Sequence, residues 1–322
     1  MQVKSKNFTK IMQPLVPKRL QIETYFGCNA KCSMCYMGVS TSFKRKIGMM
    51  EWSLFKNIVD ALEPFNDKIV MTDLFALGEP MLDSLLFNRI NYLKKKSFKN
   101  IAISTNADLL NEQKRRTLLD TGIETVIFSI DGTTSEIHES IRKGVSFRRV
   151  RANCEKTIES RDKGNYPTRF VVRFIRQECN KKEEKGFIRF WKSKIDPDKG
   201  DMIIIYDVNT MGGSVFSKQK LIGSRISKKI ESMPCRQIFE RLIILNNGLV
   251  PMCCEDTPEA IYMMGNVKDS HPIDIFNSEK FRQARELHLK HFRNKYDICR
   301  ECTVEYSDMS KITIGTGNKP NG

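Results

Sequence analysis

Cys28, Cys32 and Cys35 share one short segment, Cys28-Asn-Ala-Lys-Cys32-Ser-Met-Cys35, at C-x3-C-x2-C spacing. Thiolates this close together can hold three irons of a cubane iron–sulfur cluster and leave the fourth iron open to an outside ligand. The same spacing also suits a zinc site short of one ligand, or three free thiols. A second group crowds the last third of the chain: Cys235, Cys253, Cys254, Cys299 and Cys302. Four of these five would close a cluster or a four-cysteine zinc site and leave one thiol over. Cys154 and Cys179 stand apart and read as incidental. The N-terminal segment is basic and lacks an apolar core and a small-residue cleavage site, so it does not read as a secretory signal. Ten cysteines in a cytoplasmic chain are then expected to be metal ligands or reactive thiols, not disulfides.

The residues that must position these thiols follow a βα rhythm. Six short β-branched runs read as strands: Leu20–Thr24, Ile69–Phe75, Asn100–Ser104, Glu124–Ser129, Arg169–Ile175 and Met202–Tyr206. Between them Glu51–Leu62, Met81–Lys96, Asn111–Thr121, Phe147–Lys163 and Lys182–Lys194 carry helical apolar spacing. The expected fold is α/β, a partial (β/α)6 TIM-like barrel over residues 18–207. In such barrels function sits in the loops after the strand C-termini. Cys28–Cys35, Gly78-Glu79-Pro80, Ser104-Thr105-Asn106, Ser129-Ile130-Asp131-Gly132 and Tyr206-Asp207 all fall on that rim. Residues 1–17 read as an N-terminal arm, 208–234 as a polar connector, 235–308 as a small cysteine-rich domain and 309–322 as a flexible tail. Asn246-Asn247-Gly248 between apolar runs signals a β-hairpin, and Ser278–His291 reads as a helix.

The triplet after the first strand resembles the radical S-adenosylmethionine (SAM) superfamily. Gly78-Glu79-Pro80 is similar to that superfamily's G-E-P segment, which contacts the methionine amino group, and Ser129-Ile130-Asp131-Gly132 to its S-[ILM]-D-G segment. Two departures are Met34, where an aromatic residue is frequent, and Leu77-Gly78 in place of a double glycine. The resemblance implies a [4Fe–4S] cluster on Cys28, Cys32 and Cys35 whose open iron chelates S-adenosylmethionine, and a 5′-deoxyadenosyl radical that takes a hydrogen atom from substrate carbon. It makes Gly78, Glu79, Pro80, Ser104, Asn106, Ser129 and Asp131 candidates for cofactor binding. The C-terminal cysteines resemble the SPASM/twitch branch. That implies one auxiliary [4Fe–4S] cluster on Cys235, Cys253, Cys299 and Cys302, with zinc as the alternative. Cys254 then remains as a candidate hydrogen-atom donor, or as a buried small hydrophobe.

That remainder sets the expected outcome: epimerisation of a carbinol carbon on a sugar or aminocyclitol-like natural product. Oxidation or dehydration of a similar polyol, and modification of a ribosomal peptide, are the alternatives. The peptide reading is weakened because no separate leader-binding domain is expected before residue 20. Asp207, Glu255 and Asp256 are candidate proton acceptors, although turn or surface carboxylates are the simpler reading. His288 and His291 read as a solvated helix face, and Arg142 and Arg173 could meet a carboxylate or phosphate bidentately. Lys+Arg total 54 and Asp+Glu 38, a net charge of +16. Its basic runs lack interleaved aromatics or a nucleic-acid module, so nucleic acid is not the expected partner and an acidic flavodoxin or ferredoxin-type reductant is. No apolar run approaches the ~20 residues of a membrane span.

Overall fold

The structure is a computed structural model and describes residues 14–213, 233–300, 302–304 and 311–315. The expected arm up to residue 13, most of the connector, and the tail beyond residue 315 lie outside the described residues. β1 (Arg19–Ile22), β2 (Met71–Asp73), β3 (Ile101–Thr105), β4 (Thr125–Ser129), β5 (Arg169–Arg176) and β6 (Met202–Asp207) pair side by side in chain order, all parallel. Each sequence-expected strand is present within a few residues. β3 is buried along its whole length, as a parallel strand covered on both faces must be.

α1 (Trp52–Leu62), α2 (Leu86–Lys95), α3 (Glu112–Asp120), α4 (Phe147–Gly164) and α5 (Glu184–Lys192) make the crossovers. α1 buries Leu54, Phe55, Ile58, Val59 and Leu62, the stripe its spacing dictates. α3 begins where the Asn111 side chain accepts from the Lys114 amide at 2.9 Å, leaving one fewer orphan donor. α2 starts later than expected from Met81, because Pro80–Leu82 form a separate 3-10 turn capped by the Glu79 carboxylate.

Two edge strands depart from the expected domain plan. β7 (Arg241–Ile244) lies parallel to β1, with Arg19 opposite Arg241 and Ile22 opposite Ile244. The cysteine-rich region thus contributes a strand to the barrel sheet, and Leu242 and Ile244 are buried in the same core as Leu20 and Ile22. The expected hairpin is corrected accordingly. The chain does turn at Leu245–Leu249, where the Leu245 amide donates to the Leu249 carbonyl, but the flanking runs part. β8 (Leu249–Pro251) pairs antiparallel with β9 (Met263–Asn266) instead. α6 (Glu279–Leu289) follows. At the other edge, Ile312–Ile314 within the expected flexible tail form β10, antiparallel to β6. Burial of sheet-edge backbone donors accounts for both additions. Among the described residues no helix is long and apolar enough to cross a membrane.

Candidate functional site

The loop after β1 is folded tightly by its own backbone. Lys31–Cys32 form a two-residue antiparallel ladder with Arg142–Lys143, the Cys35 amide donates to the Cys32 carbonyl, and the Gly38 amide to the Cys35 carbonyl at 2.8 Å. A Cβ on Gly38 would lie 2.0 Å from the Cys32 carbonyl oxygen, so only glycine closes this loop. Gly78 serves the neighbouring approach. It bridges Gly27, and a Cβ there would lie 2.3 Å from the Tyr25 carbonyl oxygen. The Gly78-Glu79-Pro80 segment is thereby pressed against the cysteine loop.

Cys28, Cys32, Cys35, Gly78, Glu79, Ser104, Asn106 and Ser129 line a single cavity of about 240 Å³ at the strand C-termini. Glu79 is buried beneath its wall, its Oε1 accepting from Thr105 Oγ1 at 2.7 Å and its Oε2 from the Asn106 amide at 2.8 Å. Asn106 Nδ2 donates to Asn29 Oδ1 at 2.9 Å and reaches to 3.8 Å from Cys28 Sγ. Arg173 crosses the cavity and donates through Nη2 to both Ser104 Oγ and Ser129 Oγ. Burial, then the charge of Glu79, pushes the Cys28 thiol up to about 11. Burial, then Cys32, pushes Cys35 up to about 12. Thiols so placed lose their protons to a metal more readily than to bulk water.

Asp131 and Pro80 are not among the cavity-lining residues. Asp131 is fully buried and already occupied: Oδ2 accepts from Arg142 Nε at 2.6 Å and Oδ1 from the Ile175 amide at 2.7 Å. It therefore holds Arg142, whose Nη1 lies 3.6 Å from Cys32 Sγ. Pro80 is buried behind Glu79 and starts the 3-10 turn.

The second cysteine group also converges. Cys235, Cys253, Cys254, Cys299 and Cys302 line one small pocket with Glu255, His288 and Arg293. Cys253 is extended, with φ −157° and ψ −178°, and ends where a 3-10 turn over Cys254–Asp256 begins. Cys254, unlike Cys253, also lines the barrel lumen. Burial pushes Cys253, Cys254 and Cys302 well up and Cys299 to about 11. His288 is corrected from a solvated face to a buried member of this pocket. Its Nδ1 accepts from the Cys235 amide at 3.2 Å, which leaves the proton on Nε2, 3.7 Å from Cys299 Sγ. Its spacing from His291 gave no sign of this, since only the register of α6 against the pocket decides it.

Of the remaining candidates, Glu255 lines the cysteine cavity, the second pocket and the lumen. Asp207 is paired with Arg176 at 2.6 Å. Asp256 accepts from the Met252 and Tyr262 amides at 3.2 and 3.1 Å, and burial raises it to about 6. Cys154 is buried in α4 and Cys179 is exposed. One cluster escaped sequence reasoning altogether: Arg45 with Glu23, Asn246 and the Thr257 and Pro258 carbonyls. Arg45 sits in a basic run that looks solvated, and nothing local marks its partners.

Among the described residues, no group of three or more His, Cys, Asp or Glu closes around one metal ion. The thiols surround cavities instead, as a polynuclear group bound at its corners requires, and soft thiolate donors suit iron–sulfur clusters. A parallel βα barrel with three thiols on its catalytic rim and a thiol-lined pocket beside it defines an iron–sulfur protein of the radical type. The radical SAM superfamily profile matches residues 22–167 and the iron–sulfur cluster-binding (SPASM) domain profile matches residues 235–303. Residues 22–167 thus form a radical SAM domain and residues 235–303 a SPASM-type iron–sulfur domain.

A cofactor-modifying protein for the tungsten-containing aldehyde ferredoxin oxidoreductase of Pyrococcus furiosus is 31% identical over 114 residues, covering 35% of this chain and 31% of that protein. The chain thus matches under a third of that relative. The S-adenosyl-L-methionine-dependent 2-deoxy-scyllo-inosamine dehydrogenase of Niallia circulans is 21% identical over 287 residues, covering 88% of this chain and 91% of that one. In structure, the chain resembles BtrN in complex with AdoMet and 2-DOIA, with a TM-score of 0.60, 19% identity and coverage of 90% and 94%. It also resembles Streptococcus suis SuiB bound to its precursor peptide SuiA, with a TM-score of 0.63, 16% identity and coverage of 90% and 70%. The two domains bring with them a [4Fe–4S] cluster that works with S-adenosylmethionine and an auxiliary [4Fe–4S] cluster.

Proposed function

We propose that this radical SAM enzyme epimerises a carbinol carbon of a sugar or aminocyclitol-like substrate held in the barrel lumen. Cys28, Cys32 and Cys35 would hold the first cluster, and Cys235, Cys253, Cys299 and Cys302 the auxiliary one. When bound, the first cluster and S-adenosylmethionine supply abstraction of a hydrogen atom from an unactivated carbon. Gly78, Glu79, Asn106, Ser104 and Ser129 orient the cofactor.

The observation that carries the reading is the place of Cys254, which lines both the auxiliary pocket and the lumen. Its S–H bond breaks, a C–H bond forms on the opposite face of the substrate, and a sulfur radical remains. One electron from a flavodoxin or ferredoxin-type reductant and one proton from solvent restore the thiol. A reducing, cytoplasmic setting suits a cycle that runs on thiols and low-potential electrons.

Reaction in heavy water should leave one deuterium at the inverted carbon. Cys254→Ala should still cleave S-adenosylmethionine but lose epimer formation by at least about a hundredfold, the scale of losing a positioned proton or hydrogen donor. Unchanged epimer yield in that variant would sink the donor role. A second reading, oxidation of the same carbinol, is favoured by the near full-length likeness to the inosamine dehydrogenase. There the substrate radical loses one proton and one electron to an iron–sulfur acceptor, and the product carries no solvent deuterium.

A further inference from the structure

The lumen behind the cysteine rim carries more cationic than anionic side chains. Arg173, Arg241 and Lys311 line it, with Gln237, Tyr206 and Glu255. Arg19 also reaches it, but is neutralised by its ion pair with Asp73. Among the described residues, no carboxylate pairs with Arg173, Arg241 or Lys311. Arg241 gives one N–H to Gln21 Oε1 at 3.2 Å, and Arg173 gives Nη2 to the two serine hydroxyls. Among the described residues, Arg173 Nε and Gln237 Oε1 are buried without a hydrogen-bond partner; Arg173 lines this lumen and Gln237 lines both the lumen and the cysteine pocket, and buried polar atoms are almost always satisfied.

We infer that the substrate carries an anionic group, a carboxylate or a phosphate, read by Arg241 and Lys311 with Arg173 facing its reactive end, and a hydroxyl that donates to Gln237. The inference rests on the sugar arm of the substrate proposed above, against the aminocyclitol one, and gives it a charge. Guanidinium donors match planar or tetrahedral oxyanions bidentately. The same wall disfavours a substrate bearing an ammonium group, because three cations would face it with one carboxylate, Glu255, in the lining. In a hydroxyl-rich ring with one acid group, the acid meets the cations and a ring hydroxyl meets Gln237.

The test uses the holoenzyme with both clusters and S-adenosylmethionine in place, titrated calorimetrically with D-glucuronate, D-glucose 6-phosphate, D-glucose and D-glucosamine. At least one acidic sugar should bind at least about tenfold more tightly than glucose, and glucosamine least tightly, as charge-assisted contacts require. Glucuronate against glucose 6-phosphate separates carboxylate from phosphate. Arg241→Gln and Lys311→Gln should each remove most of that preference while leaving glucose affinity, cluster absorbance and S-adenosylmethionine binding unchanged. Equal affinities across the series, or tighter glucosamine binding, would overturn the anionic substrate and leave the sugar reading intact. If no sugar binds but inorganic phosphate or succinate does, in an Arg241-dependent way, the anion site stands and the sugar reading falls. If no anion binds either, the anion site falls.

Discussion

Glu23 and Arg45 form the most heavily bonded buried ion pair among the described residues, and their surroundings explain why. Arg45 Nη1 meets Glu23 Oε2 at 2.5 Å and Nη2 meets Oε1 at 3.1 Å. The remaining donors go to Asn246 Oδ1 and to the Thr257 and Pro258 carbonyls, and the guanidinium lies over the Phe26 ring. Three parts of the chain meet in one residue: the end of β1, the loop beyond the cysteine triplet, and the segment after Cys254. Removing one partner from such a pair leaves a buried charge, at a cost of about 3–5 kcal/mol. Arg45→Met should therefore lower thermal stability sharply, and Arg45→Met with Glu23→Gln should recover much of the loss. Burial holds the Glu23 carboxyl above its ordinary value even with Arg45 present. A group raised on folding contributes stability below its unfolded value and loses it as pH rises through its folded value. Without Arg45 the rise is larger, so the melting deficit of Arg45→Met should widen from acidic to alkaline pH. A deficit constant across pH would contradict this account.

Among the elements, the two-residue ladder between Lys31–Cys32 and Arg142–Lys143 does for the cysteine loop what a helix would do for a longer segment. It fixes the middle thiol through backbone pairing, and Asp131 at the end of β4 fixes Arg142 in turn. Asp131→Asn removes the charge that holds Arg142. In the reconstituted enzyme, chelators should then extract the iron on Cys28, Cys32 and Cys35 several-fold faster, with the auxiliary iron unaffected and S-adenosylmethionine affinity changed by less than about threefold, since a residue that holds a ligand's neighbour acts through that ligand. A large loss of S-adenosylmethionine affinity with unaltered iron release would restore Asp131 to the cofactor contact that its place in the Ser-Ile-Asp-Gly segment suggested. The six strands and five crossover helices were legible because period and β-branching report local structure. So was the rim, because the unusual residues recur at strand ends. The joining of β7 to β1 and of β10 to β6 was not legible, since edge pairing depends on partners more than 200 and about 100 residues away in sequence. For the same reason Asn246-Asn247-Gly248 turned the chain as its residues demanded, yet its flanking strands found other partners.

At the scale of the whole molecule, the +16 charge gains a location. A broad groove beside the cysteine loop is lined by Lys44, Lys46, Ile47, Glu51, Glu259 and Lys268, and it is anchored to the loop where Tyr36 Oη donates to Glu259 at 2.8 Å. Ile47 is about half exposed there, an apolar centre with a cationic rim, which is the composition of a transient protein contact. An acidic flavodoxin docked on this face would stand beside the thiols its electron must reach. Charge attraction across a surface is screened within about 8–10 Å at ordinary ionic strength, so turnover driven by reduced flavodoxin should fall steeply as salt rises. Turnover driven by dithionite, a small reductant that needs no docking, should not. Lys44→Glu with Lys46→Glu should raise the flavodoxin KM by about tenfold, the order that losing attractive charges and gaining like ones implies, with kcat on dithionite unaltered. Equal losses with both reductants would place the lysines in folding rather than docking. Flavodoxin turnover insensitive to salt would remove the groove from the electron path.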